Sequence, residues 1–129
     1  MINAKKFEQD RRKHPRLASN VPVKISQEDG DVVTETANIS SSGAYCRVER
    51  YIEPMSKMKI CLLIPIKKGM KNSTKKINCE GVVVRADTVP GQSYFNIAIF
   101  FSDISRRDAD TIADYVSSCL EQEEKAHKV

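Results

Sequence analysis

Val21, Val23 and Ile25 alternate with Pro22, Lys24 and Ser26, the period of two that turns one strand face to a core and the other to water. The polar residues 27–31, around Gly30, predict a hairpin turn after it. The same reading predicts five more strands, at 32–37, 43–48, 58–66, 77–86 and 94–102. In the 58–66 strand Met58, Ile60, Leu62, Ile64 and Ile66 share a face, and in the last strand Phe95, Ile97, Ile99 and Phe101 do. Residues 67–76 and 87–93 carry the glycine, asparagine and proline of connecting turns.

The pattern then changes period. Ser105 is a good N-cap, Asp108 three residues on can complete a capping box, and Ala109, Ile112, Ala113, Val116 and Leu120 recur on one side of a helix. A lone six-stranded sheet would leave two edges and an apolar face in water, so closure into a small barrel, with this helix over one opening or face, is favoured. The expected fold is therefore mainly β, a six-stranded antiparallel β-barrel with a C-terminal α-helix. A dimer interface would use the same helical stripe, so monomer and homodimer both stay open. Residues 121–129 read as a charged, fraying tail, where Glu121 with Lys125 and Glu124 with Lys128 are weak i,i+4 pairs.

The length of 129 residues fits one such domain and not two. Folding removes roughly two-thirds of the extended chain's surface at this size, enough to do without disulfides or a structural metal. Cys46, Cys61, Cys79 and Cys119 form no close pair, so small buried hydrophobes are the simplest reading and no metal site is expected. The longest strongly apolar run, 60–66, contains Pro65 and is far too short to span a bilayer. Residues 1–16 lack the apolar run of a secretory signal, which predicts a cytoplasmic protein.

The net charge of +4 is modest, but its distribution is uneven. Residues 1–16 carry six basic and two acidic side chains, and residues 57–76 seven basic and none acidic, whereas 17–56 and 102–129 are each net negative by three. Two basic segments favour an anionic partner, with a plain solvated face as the alternative for the lysine-rich 67–76 stretch. His14 is the single histidine before the charged tail, and no serine or cysteine nucleophile or carboxylate cluster is placed for a relay, so an enzyme is not expected.

Two short motifs carry the functional reading. Arg11-Arg12-Lys13-His14-Pro15-Arg16 lies between the N-terminal head and the first strand, and Pro15 makes an ordinary helix through it doubtful. Guanidinium forks there can grip phosphate or the O6/N7 edge of guanine and stack on bases. Asn38-Ile39-Ser40-Ser41-Ser42-Gly43 is a compact polar link between strand candidates. Asn38 and Ser40 can either reach a ligand or cap nearby backbone groups, and Gly43 permits a turn or a close backbone approach. Ile39 pointing inward would turn Asn38 and Ser40 to the other side.

Together these segments resemble the PilZ domain family, whose signature is RxxxR followed by [D/N]xSxxG. Arg12 and Arg16 match the first motif, and Asn38, Ser40 and Gly43 the second. The resemblance covers approximately residues 9–120, after a head of residues 1–8 and before the charged tail of 121–129. It implies binding of the bacterial second messenger cyclic di-GMP, a signalling ligand and not a cofactor, with Arg12 and Arg16 on bases and phosphates and Asn38, Ser40 and Gly43 forming the receiving surface. Arg11, next to the first motif arginine, matches the family pattern associated with an intercalated pair of nucleotides. Asn38 stands where aspartate is frequent and lacks the carboxylate for charge-assisted bonds. The implied mechanism is an arginine arm ordered by the nucleotide, signalling to an unidentified protein partner. The alternatives are a PilZ-like protein-interaction domain that binds no nucleotide, or a basic nucleic-acid-binding barrel. The last is disfavoured because no aromatics interleave with the basic residues.

Overall fold

A computed structural model describes residues 16–127, with side chains placed for 16–122. The antiparallel strands β1 (Pro22–Gln27), β2 (Gly30–Ser40), β3 (Gly43–Val48), β4 (Lys57–Lys68), β5 (Lys71–Thr88) and β6 (Phe95–Asp103) precede one helix, α1 (Arg106–His127). They hydrogen-bond in the order β1-β2-β3-β6-β5-β4, and β1 pairs with β4, so the sheet closes into a barrel without a free edge at the seam. The crossing from β3 to β6 leaves β4 and β5 as a long hairpin on the far side of the ring.

The alternation predicted for the strands becomes the barrel interior. Val23 and Ile25 from β1, Met58, Ile60, Leu62 and Ile64 from β4, and Ile97, Ile99 and Phe101 from β6 are buried, while Ile66 and Phe95 are half-buried at the margin. Ile112 and Val116 of α1 are fully buried against this core, and Leu120 packs at its edge. Ser105 caps the helix as expected, its hydroxyl accepting from the Asp108 amide at 3.1 Å. Cys46 and Cys79 are buried, and burial pushes both thiols up to about 12. Among the described residues no group of three metal-ligating side chains occurs, and no helix is long and apolar enough to cross a membrane.

Three segments depart from the expected boundaries. Residues 67–76, read as a connecting turn, are strand on both sides of a two-residue turn: Lys67 pairs with Asn72 and Lys68 with Lys71, leaving only Gly69 and Met70 to reverse the chain. Gly69 has φ +60° and Met70 does not take a positive φ, the arrangement of a hairpin turn with glycine first. The strand was hidden because both ribbon faces are wet there, which erases the alternation that marks a half-buried strand. The polar link at 38–43 is mostly strand as well. β2 runs through Asn38 and Ser40, with a bulge between Thr36 and Asn38, and only Ser41 and Ser42 turn the chain. Finally, α1 continues past Leu120 through the charged segment to His127.

Candidate functional site

The two motifs meet through the chain that follows the arginine segment. Leu17 is buried and makes an isolated bridge to Ile39, each amide donating to the other's carbonyl at 2.9 Å. Two residues on, the Ser19 carbonyl is an acceptor in a web centred on Thr36. The buried Thr36 hydroxyl accepts from the Val21 amide at 3.0 Å and donates to the Ser19 carbonyl at 2.5 Å. The Ser19 hydroxyl also meets the Tyr115 hydroxyl of α1 at 2.6 Å, and burial pushes the Tyr115 phenol up. The strap of residues 17–21 is thus stitched to β2 on one side and to the helix on the other. A buried leucine and a satisfied threonine fix its register.

That register sets Arg16 on the outer surface beside β2, where its guanidinium donates to the Asn38 side-chain oxygen at 2.7 Å. Residues 22 positions apart, one from each motif, are in direct contact. The bulge before Asn38 is the local cause. By inserting an extra residue at Ala37 it re-aims the strand end, so that Asn38 is half-buried on the outside while Ile39 fills the core.

Ser40 has a different situation from Asn38. It is fully buried, its hydroxyl 3.1 Å from that of Ser42 and 3.4 Å from the Gly43 carbonyl, and it accepts from the Ser42 amide at 3.3 Å. Of the two options left open for this hydroxyl, capping backbone groups describes its geometry. Gly43 is not at a positive φ. What demands glycine is crowding by the next strand, because a Cβ there would run into the Ile99 carbonyl and lie 3.4 Å from the Phe100 Cα. Arg11 and Arg12 lie outside the described residues, so of the predicted nucleotide-binding set Arg16, Asn38, Ser40 and Gly43 are brought together here.

The register also exposes residues that the motifs do not include. Gly43 pairs with Phe100, whose ring is half exposed, and Asn38 pairs with Tyr45, which pairs in turn with Ala98. A flat apolar and aromatic strip therefore continues the motif surface across β3 and β6. Arg47 stacks its guanidinium 3.9 Å from the Tyr94 ring centre near one end of this strip, and Arg85 pairs with Asp87 at 2.8 Å at the other side. The signal for Phe100 was present in the alternation of β6, which sends Ile99 and Phe101 inward and so Phe100 outward. The surface as a whole is cationic at Arg16, aromatic at Phe100 and amide-bearing at Asn38, a combination suited to a planar, anionic ligand with hydrogen-bonding edges.

Residues 10–118 match the family model described as the PilZ domain. Among solved structures, the Bacillus subtilis inhibitor of motility MotI (DgrA) superposes with a TM-score of 0.75 at 21% identity, over 87% of this chain and 52% of that one. The chain thus spans about half the length of MotI. The PilZ domain of YcgR from Escherichia coli, solved with c-di-GMP, superposes with a TM-score of 0.61 at 13% identity, over 92% of this chain and 99% of that domain. No curated protein matches the sequence.

Proposed function

Because the chain belongs to the PilZ domain family, we propose that it is a cytoplasmic cyclic di-GMP receptor whose nucleotide is taken between the arginine arm and the Asn38–Gly43 surface. The observation that carries this reading is the 2.7 Å hydrogen bond from Arg16 to Asn38, which holds one residue of each motif at the same place on the barrel wall. Arg16 and Arg12 supply positive charge and planar forks for phosphates and guanine edges. Asn38 presents an amide to the ligand, and Ser40 with Gly43 keeps the turn tight enough for the nucleotide to approach the backbone. Arg11 supports a two-nucleotide, intercalated mode. The YcgR domain, solved with this ligand, has the same fold.

The ligand acts by ordering the arm against the barrel. This creates a surface that is part protein and part nucleotide, and the signal passes to a protein partner.

Calorimetric titration with cyclic di-GMP tests the assignment. Wild type should saturate with two nucleotides per chain, and Arg12→Ala or Arg16→Ala should weaken binding by about tenfold to a hundredfold, the worth of a lost charge-assisted hydrogen bond. Equal affinity in wild type and both variants sinks the proposed site. Absence of binding by a folded wild type would leave a PilZ-like interaction domain that works without nucleotide.

A further inference from the structure

The β4–β5 hairpin outgrows the barrel. β1 pairs with β4 no further than Leu62, and β6 pairs with β5 only from Glu80 onward. Residues 63–68 and 71–76 therefore pair only with each other, as a two-stranded ribbon that stands beyond the ring beside α1, across a groove of about 930 Å³. Residues 67–76 hold five lysines and no acidic side chain, and among the described residues none of these lysines has an ion-pair partner. At the tip Met70 is 101% exposed.

Lysines along a bare ribbon edge guard against pairing with other chains, and that accounts for Lys75 and Lys76. It does not account for a wholly exposed methionine at the turn, which a solubilising tip would avoid. The arrangement of the tip charges is more particular. Lys68 and Lys71 are direct cross-strand partners and share one ribbon face, while Lys67 lies on the opposite face. A folded acidic protein docking on the ribbon would meet one face and leave the other charge in water. A planar surface approached end-on meets all three ammonium groups at once, with Met70 foremost. Lys75 sits about 13 Å behind Lys71 at ~3.3 Å per residue, beyond a Debye length of ~8 Å at physiological salt, so the tip triad carries the contact. Residues 63–76 contain no aromatic side chain on which nucleic-acid bases could stack.

We infer that the ribbon tip docks on an anionic lipid surface, Lys67, Lys68 and Lys71 meeting headgroup phosphates while the Met70 side chain enters the headgroup layer. Lysine suits this role because its long apolar stem lies along lipid while the ammonium stays at the phosphates. Each tip lysine contributes about fivefold in affinity, so the contact is weak, reversible and sensitive to salt. It is independent of the nucleotide surface, which lies on β2, β3 and β6.

The chain contains no tryptophan, which makes a probe at the tip clean. Full-length wild type should co-sediment with vesicles of phosphatidylcholine mixed with phosphatidylglycerol and not with pure phosphatidylcholine. In Met70→Trp, emission should shift to the blue on the anionic vesicles only. Adding Lys67→Gln, Lys68→Gln and Lys71→Gln should cut binding about a hundredfold, from three factors of about five, and abolish the shift, with circular dichroism unchanged. The inference is overturned if emission does not move, if neutral vesicles produce the same shift, or if the triple glutamine variant binds as wild type does. Binding to soluble polyglutamate with none to anionic vesicles would also overturn it, in favour of an acidic protein.

Discussion

Gly43→Ala tests why a motif glycine sits where it does. The backbone angle at Gly43 is one that alanine tolerates, since it is not positive. The obstacle is the carbonyl of Ile99, which the new Cβ would overlap, with the Phe100 Cα at 3.4 Å. Both belong to the backbone of β6, a strand bonded on one side to β3 and on the other to β5, so no side-chain rotation relieves the clash and β3 and β6 must part. Overpacking of this kind costs about 1–3 kcal/mol. Parting the strands also strains the neighbouring bond, 2.9 Å from the Phe101 amide to the Ser42 carbonyl, worth about 1 kcal/mol more. At roughly 4 °C per kcal/mol for a domain of this length, the combined loss of about 2–4 kcal/mol should lower the melting temperature by about 8–16 °C. Differential scanning calorimetry of wild type and variant measures this, with nucleotide titration at a temperature where both are folded. An unchanged melting temperature together with weakened nucleotide binding would refute the argument, because the glycine would then be kept open for the ligand and not for Ile99.

Three further outcomes follow from particular contacts. Thr36→Val keeps the shape but leaves the Val21 amide and the Ser19 carbonyl without their buried partner, so urea unfolding should show a loss of about 1–3 kcal/mol; a loss under a few tenths would mean the strap is not held by this hydroxyl. Asn38→Asp turns the bond from Arg16, already charge-assisted by the guanidinium, into an ion pair, and cyclic di-GMP titration should show affinity raised about threefold to tenfold, with weaker binding arguing that the ligand needs the amide's donor. The Cys46 thiol is held protonated up to about 12 from an ordinary 9.0. Because the unfolded chain releases that proton first, the stabilisation is whole below pH 9 and is lost as pH rises through the interval to about 12, at up to ~1.4 kcal/mol per pH unit. Urea midpoints across this range should fall less steeply in Cys46→Ala, and an identical slope would reject burial as the cause.

How legible the molecule was depended on what each residue faces. Strands with one wet and one dry side, such as 21–26 and 94–102, announced themselves by alternation, and the helix by its capped start and its Ile112 and Val116 stripe. Residues 67–76 did not, because a ribbon wet on both faces has no dry side to alternate with, and only cross-strand pairing such as Lys67 with Asn72 makes it a strand. The motif residues were recognisable as a set, yet their separate situations were not. Asn38 and Ser40 look interchangeable in sequence, but the bulge after Thr36 puts one at the surface with Arg16 and the other wholly inside the turn.

The sequence by itself determined that this chain makes one small β-barrel closed by a helix and carries the paired motifs of a PilZ domain, since periodicity, capping and residue spacing are local properties. Tertiary structure decided the rest: that Arg16 reaches Asn38, that Gly43 is demanded by Ile99, and that the lysine-rich stretch is an arm and not a loop. Each of these depends on which strand lies beside which and in what register. Those relations arise only when the sheet closes and chain segments far apart in sequence come to share the same few ångströms.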